Sequence, residues 1–187
     1  MNVNEARFNS AIQRFDALNA QDPQGKELIY AQRMSAWLTK LEPAASEPLQ
    51  LAARAQHLMR WSIPRSQFPM DRPGYLKWRT TLYDFHADRA AEVLREVGYD
   101  ESTIARVRSL IRKEKLKVDP EAQTLEDVIC LVFLENYFEE FSQEHDEEKL
   151  IRILQRTWKK MSPRGHEAAM TIQYSPPQLA LIKKALS

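Results

Sequence analysis

The chain has 187 residues, of which 43% are apolar and only four are glycine. That length and composition suffice for one domain with a buried core, and they favour helix over sheet. The formal net charge of +1 excludes a global field that would draw the whole chain to nucleic acid or to a membrane.

The N-terminal part of the sequence predicts three helices. Apolar residues at helical spacing, such as Phe8, Ile12 and Phe15, indicate a first helix over about residues 4–20. A second is predicted over 25–41. A third begins at Pro48, after a proline-bounded link, and is predicted to end near Trp61.

The next segment departs from helical pattern. Residues 57–79 read "HLMRWSIPRSQFPMDRPGYLKWR", with three prolines among arginines and tryptophans. Proline and the residue before it disfavour helix, so a loop is predicted between the third helix and a fourth that starts at Pro73. Loops of this length are uncommon unless they are functional.

The rest of the chain again predicts helices. The fourth runs to Val97 with Gly98 as its C′ residue, and Asp100 caps a fifth that ends at Arg112. A strongly apolar sixth helix is predicted over 121–142, and a seventh runs from Asp146 to about Met161. Ser162-Pro163 and Ser175-Pro176 each predict the start of a short helix. No long alternating run predicts a strand, so the fold class is all-α with about nine helices.

Charge is distributed in blocks. Eleven acids and no lysine or arginine lie between Asp119 and Glu148. A basic block lies between Arg54 and Arg79. The guanidinium groups of its arginines can bind an oxyanion such as phosphate. The predicted phosphate-binding cations of this block are Arg54, Arg60, Arg65, Arg72, Lys77 and Arg79. The open alternative is that these side chains are solvated or pair with the acids of the sixth helix.

Two histidines suggest a second kind of site. His57 and His86 are predicted on adjacent helices, and Glu126 and Asp127 lie beside the apolar stripe of the sixth. Imidazole and carboxylate together suit a divalent transition metal, such as manganese, iron, cobalt, nickel or zinc. The alternative is structural pairing of each histidine with a carboxylate.

A third candidate is the corner before the eighth helix. Lys160 ends one helix and His166 lies in the first turn of the next, where free N–H groups favour an anion. A capped helix corner with no ligand is the alternative. Cys130, in the apolar run "VICLVFL", is expected to be a buried, inert thiol.

Several functions are excluded or disfavoured by missing signals. No glycine-rich phosphate loop occurs, which excludes phosphate handling through a P-loop. The N-terminus does not resemble a signal peptide, and no apolar run approaches the length of a membrane span. We therefore expect a cytoplasmic protein with no membrane partner.

Four strings carry a family resemblance: "QHLMRWSIPRSQFPMDRPGYLKWR", "FHADRAAEVLREVGYD", "TLEDVICLVFLENYFEEF" and "WKKMSPRGHEAA". Together they resemble a helical family known as domain of unknown function 4202, across nearly the whole chain. The resemblance implies no assigned activity.

A weaker similarity is to the HD-type metal-dependent phosphohydrolases, which are all-helical. It implies that His57 is the first metal ligand, His86 an additional histidine, and Asp127 or Glu126 the final carboxylate. Where that family has its adjacent His-Asp pair, this sequence has "KWR", residues 77–79; the adjacent His-Asp of this chain, His145-Asp146, lies instead in the polar segment "SQEHDEE". The expected organisation is one domain, 1–187, with an N-terminal helical hairpin (1–45), an HD-like core (48–142) and C-terminal helices (146–187).

Three functions remain open from the sequence. The first is a phosphohydrolase that acts on a small phosphorylated or nucleotide substrate, with a metal that activates water. The second is a non-catalytic module that binds an anion, a nucleotide or RNA through the arginines and a tryptophan. The third is an interaction domain whose acidic region docks a basic protein.

Overall fold

A computed structural model describes residues 3–116 and 118–187 of the chain. Within these residues the fold is all-α, as the sequence predicts, and contains no strand. The helices are α1 (Val3–Asn19), α2 (Lys26–Leu41), α3 (Glu47–Ala55), α4 (Arg72–Glu96), α5 (Glu101–Arg112), α6 (Pro120–Asn136), α7 (Phe138–Gln143), α8 (Glu147–Lys160), α9 (Pro163–Ala169) and α10 (Pro176–Leu186). None of the described helices combines the length and the apolar content that crossing a membrane requires.

Local chemistry explains where most helices begin. The side chains of Asp100, Asp146 and Ser162 each accept a hydrogen bond from a backbone N–H of the helix that follows. At the start of α10, the Ser175 N–H donates to Oε1 of Gln178 at 2.7 Å. Such caps satisfy donors that the first helical turn leaves free, so the starts predicted from sequence are confirmed. Gly98 follows α4 with a φ of 88°, as predicted for a C′ glycine.

Two predicted helices are shorter than expected. The prediction that the third extends to Trp61 is wrong, because α3 ends at Ala55. Met59 has a left-handed φ of 55°, and its N–H donates to Oδ1 of Asn19 at 2.9 Å, so a contact with α1 turns the chain away. The predicted sixth helix is broken at Tyr137 into α6 and α7.

Small residues bring the central helices together. Ala52, Ala53 and Ala55 of α3 are fully buried. Helix α3 packs against α1, α2 and α5, while α6 packs against α2 and α9. One apolar core runs through these helices and reaches α8 and α10. This packing sets α2, α4, α6 and α8 around a common opening.

The proline-rich loop between α3 and α4 has a fixed shape. The Arg65 guanidinium donates to the carbonyls of Phe68 (2.9 Å), Pro69 (2.6 Å) and Asp71 (3.2 Å). A Cβ on Gly74 would lie 2.1 Å from the Pro69 carbonyl oxygen, so only glycine fits where α4 leaves the loop. These contacts fix the conformation of the loop ahead of α4.

Candidate functional site

A pocket of about 950 Å³ opens between α2, α4, α6 and α8. The segment that follows α3 forms another wall, with Gln56, His57 and Arg60. A volume of this size lies in the range of small-molecule sites, which is roughly 300–1,000 Å³. The pocket is thus large enough for an organic ligand of moderate size.

The charges that line the pocket are strongly unequal. Seven cations reach it: Lys26, Arg60, Arg72, Arg79, Lys113, Arg156 and Lys160. Among the residues that the structure describes, Glu27 is the one carboxylate in the lining. The protein as a whole has a formal net charge of only +1, so positive charge is concentrated here.

Aromatic rings hold two of the arginines in place. The Arg60 guanidinium lies 4.6 Å from the centre of the Trp78 ring, and the Trp78 indole N–H donates to the Ile63 carbonyl at 2.9 Å. Arg79, the residue after Trp78 on α4, donates to the hydroxyl of Tyr83, one turn further along the helix. Contacts of a cation with a ring face leave the N–H edges of the guanidinium available to an oxyanion.

Arg72 and Arg156 are exposed and stand at the pocket rim. Neither makes an ion pair or a side-chain hydrogen bond within the described part of the chain. Their donors therefore face solvent at the opening, where an anion would enter.

A buried carboxylate orders the two lysines. Glu126 is only 3% exposed, contacts Lys113 closely, and lies 3.6 Å from the Lys160 ammonium. Burial by itself would raise the pKa of Glu126, but the two lysines hold it below its ordinary value. Lys113 caps the end of α5 with a left-handed φ of 60°, a conformation that costs a non-glycine residue some backbone energy.

Another side of the pocket combines His57, Tyr30 and Glu27. The rings of Tyr30 and His57 are stacked with centres 3.9 Å apart, and Glu27 Oε2 lies 3.6 Å from His57 Nδ1. Burial raises the pKa of Glu27 to about 7, although the Arg60 charge acts in the opposite direction. Burial, followed by the Arg60 charge, holds the pKa of His57 well below its usual value, so this imidazole is neutral. A carboxyl group with a pKa of about 7 can exchange a proton near neutral pH.

His86 lies deeper in the same pocket, on α4. Its side chain is 1% exposed, and Nδ1 donates to the Leu58 carbonyl at 2.8 Å. Nε2 is buried without a hydrogen-bond partner among the described residues. Burial lowers the pKa of His86 to about 3, and it remains neutral in spite of the carbonyl contact.

The structure brings together half of the predicted phosphate-binding set. Arg60, Arg72, Arg79 and Lys160 all line the pocket, with His57 and His86 beside them. The other members, Arg54, Arg65, Lys77 and His166, do not line it. Arg54 forms a double hydrogen bond with Asp16 on α1, at 2.7 and 2.6 Å. Arg65 holds the proline-rich loop, and Lys77 is exposed on the outer face of α4.

The predicted anion site at the start of α9 already contains a carboxylate of the protein. Asp127 accepts hydrogen bonds from the Ser162 N–H at 2.8 Å and from the Ser162 hydroxyl. A Cβ on Gly165 would lie 2.8 Å from the Asp127 carboxylate, which shows how closely it fits. His166 stacks on Trp158 with ring centres 4.2 Å apart, and its Nε2–H donates to the Trp158 carbonyl at 2.8 Å. This corner has the internal pairing of a structural joint.

The predicted metal ligands do not converge. His57 and His86 are neighbours, with ring centres 5.9 Å apart, but Glu126 is occupied by two lysines and Asp127 by the start of α9. The described residues contain no group of three or more His, Cys, Asp or Glu side chains placed to hold a metal. The donor set therefore does not fit the divalent metal that the HD-type resemblance implies.

Several lining residues were missed by sequence reasoning. Lys26, Tyr30 and Gln56 carry no motif, and the spacing of Glu27 and Tyr30 on one helical face was the available signal for that wall. Lys113 and Arg156 come from segments that become neighbours only through packing. Cys130 was predicted correctly as a buried thiol, and burial raises its pKa to about 12.

Comparison with known proteins identifies a family whose function is unknown. The family described as Domain of unknown function (DUF4202) matches residues 9–182. Neither the curated proteins nor the solved structures gave a match.

Proposed function

The chain belongs to the DUF4202 family, and we propose that it binds a small phosphorylated ligand in the basic pocket. The observation that carries this proposal is the excess of seven cations over one carboxylate in the pocket lining. Glu126 pairs with two of these cations, Lys113 and Lys160, and the other five have only Glu27 in the lining. Positive groups held close together repel one another, and an oxyanion in their midst relieves that repulsion.

The lining also favours an organic part in the ligand. Between the cations lie aromatic side chains: Tyr30, Tyr75, Trp78, Tyr83, Phe133, Tyr137 and Phe141. Small-molecule sites are typically apolar and aromatic with a few polar groups that orient the ligand. A phosphate ester, with its charge on the arginines and its carbon skeleton against the rings, matches this lining better than an isolated inorganic ion.

Removing cations that have no structural role tests the proposal. Arg72→Gln combined with Arg156→Gln deletes two exposed rim charges that make no ion pair in the described structure. We expect calorimetric titration with pyrophosphate and with nucleoside monophosphates to give at least about tenfold weaker binding, or about 1.4 kcal/mol.

The matched control is Lys77→Gln, which removes a cation from the same helix outside the pocket. We expect its affinity for these probes to equal that of the wild type. Equal losses in both variants, or no binding of any phosphate by the wild type, would contradict the proposal. Tight binding of single-stranded RNA with no binding of mononucleotides would instead favour an extended nucleic-acid surface.

Glu27 favours a second candidate function, the hydrolysis of a phosphate ester. A carboxyl group with a pKa of about 7, in a pocket 3.6 Å from a neutral imidazole, suits a general acid or base. Turnover in a phosphatase assay run with a chelator, abolished by Glu27→Gln while ligand still binds, would establish it. Binding without turnover across the substrate panel would leave the protein a binding module.

A further inference from the structure

We propose that the ligand carries hydroxyl or amino groups beside its phosphate, and that His86 and Gln56 accept hydrogen bonds from them deep in the pocket. This inference rests on the phosphate binding proposed above and specifies the chemical class of the ligand. A phosphorylated sugar, polyol or amino sugar has such groups, whereas a simple alkyl phosphate has none.

The tautomer of His86 follows from a single contact. The Leu58 carbonyl lies 2.8 Å from Nδ1, and a carbonyl can only accept. Nδ1 therefore carries the proton, and Nε2 presents a lone pair. The ring stays neutral because burial lowers its pKa to about 3, so Nε2 remains an acceptor across the physiological range.

The lone pair of His86 has no protein donor. Nε2 is buried, and no described residue hydrogen-bonds to it. The aromatic neighbours of His86 are the His57 and Phe85 rings, each with its centre 5.9 Å from the His86 ring. A buried acceptor without a partner costs roughly 1–3 kcal/mol. Because His86 also lines the pocket, a donor on a bound ligand can remove this cost.

Gln56 supplies an independent acceptor to the same pocket. It is 2% exposed, follows α3, and its Oε1 is buried with no partner in the described structure. Buried side-chain oxygens in folded proteins are nearly always paired. Two unpaired acceptors from separate segments of the chain thus line one pocket.

The pocket lining contains both donors and acceptors, and each kind requires a different part of the ligand. The cations of the pocket only donate, which suits phosphate oxygens, while His86 Nε2 and Gln56 Oε1 only accept. A ligand that satisfies both must have an anionic end and a donor-bearing end. Binding sites built for a donor reject the analogue that lacks it, because the acceptors are then left buried and unpaired.

A matched pair of phosphates tests this inference by calorimetric titration. The probes are ribose 5-phosphate and glucosamine 6-phosphate, which carry donors, and n-pentyl phosphate, which has a similar length and no hydroxyl. We expect the wild-type protein to bind the first two at least about tenfold more tightly than the alkyl ester. In Gln56→Met, which loses no hydrogen bond seen in the structure, we expect that ratio to fall several-fold.

Nitrogen NMR of histidine-labelled protein gives a readout that does not depend on a variant folding. We expect His86 in the Nδ1–H form, with an Nε2 resonance that moves towards the hydrogen-bonded value when ribose 5-phosphate is added and stays in place with n-pentyl phosphate. A His86→Phe variant, if it folds, should bind the sugar phosphate and the alkyl ester with similar affinity.

The outcomes distinguish this inference from the proposal that the pocket binds a phosphorylated ligand. If no phosphate compound binds, the phosphate pocket itself is refuted. If all three esters bind equally, or if the His86 resonance responds equally to both kinds of ester, the pocket stands and the acceptor role of His86 and Gln56 is overturned.

Discussion

The basic pocket and the corner between α6 and α9 contain similar residue types in opposite states. At the corner, the Asp127 carboxylate is 2% exposed and accepts from both the N–H and the hydroxyl of Ser162. In the pocket, Arg72 and Arg156 lack ion partners among the described residues. His86 Nε2 is buried, and no described residue donates a hydrogen bond to it. The polar groups of the corner pair with one another, whereas several polar groups of the pocket have no partner among the described residues.

The contrast shows what distinguishes a candidate binding site from a structural joint. Histidine, lysine and a helix start occur at both places, so residue types alone do not separate them. Unsatisfied hydrogen-bonding groups and unpaired charges are costly when buried, and a protein that keeps several in one cavity leaves room for a ligand that satisfies them.

The largest expected effect is on stability, at the corner. Asp127→Ala removes the carboxylate that holds Ser162 and thus the start of α9. Hydrogen bonds to a charged group contribute roughly 1.5–3 kcal/mol, so we expect the free energy of unfolding to fall by about 3 kcal/mol in chemical denaturation. Sulfate affinity measured below the unfolding transition should match that of the wild type. A large loss of sulfate binding in the folded variant would mean that the corner belongs to the site.

An intermediate effect is expected where the two regions meet, at Glu126. Glu126→Gln leaves Lys113, a partly buried lysine, without its counter-charge, so we expect a loss of about 2 kcal/mol in stability. The same change frees Lys113 and Lys160 for an anion, so sulfate should bind about fivefold more tightly. Stability and affinity thus move in opposite directions.

Acidification provides the control for Glu126. Since its folded-state pKa is below the ordinary value, its ionised form stabilises the protein above the ordinary pKa of about 4.5, and that contribution is lost as the pH falls through the folded value. The stability difference between wild type and Glu126→Gln should therefore shrink in acid. A constant difference would indicate that packing rather than charge is responsible.

The smallest expected effect is a pH dependence of anion binding. Sulfate keeps the same charge between about pH 6 and about pH 8, so any change in its affinity reports on the protein. Near Glu27 lie Asp22, Lys26, His57 and Arg60; of these, His57 is already neutral, because its pKa lies well below the usual value, and the pKa of Asp22 is lowered by backbone N–H groups. As the pH rises through about 7, Glu27 ionises and adds a negative charge, so sulfate should bind about fivefold more weakly.

Glu27→Gln is the matched variant for this measurement. Its neutral side chain should give a sulfate affinity that is flat over the same interval and close to the acid-limit value of the wild type. An unchanged pH profile in the variant would assign the titration to a different group.

Features controlled by neighbouring residues were predictable from the sequence. The all-α class follows from composition and periodicity, and the helix starts at Asp100, Asp146 and Ser162 depend on side chains within three residues of the donors that they cap. The end of α3 was not predictable in this way. The turn that follows it is tied to α1 by Asn19, which lies 40 positions from the Met59 N–H that it binds.

The candidate site was only partly predictable for the same reason. Arg60, Arg72 and Arg79 belong to one stretch and reach the pocket together, whereas Arg54 of the same block is paired with Asp16, 38 positions away. Whether a cation is paired or available depends on which distant carboxylate the fold brings to it. Sequence spacing shows which residues share a helical face but not what that face packs against. Lys113 and Arg156 could therefore not be predicted as pocket residues.

The Arg65 clamp has a consequence for the kinetics of binding. Its guanidinium holds three loop carbonyls, so the loop that joins two lining residues, Arg60 and Arg72, is already ordered before any ligand arrives. A site that needs no loop ordering is entered at a rate set by diffusion and by the local electric field. Association of an anionic ligand with this pocket should therefore be fast and should slow down with rising ionic strength, while affinity differences between ligands appear in how quickly they leave.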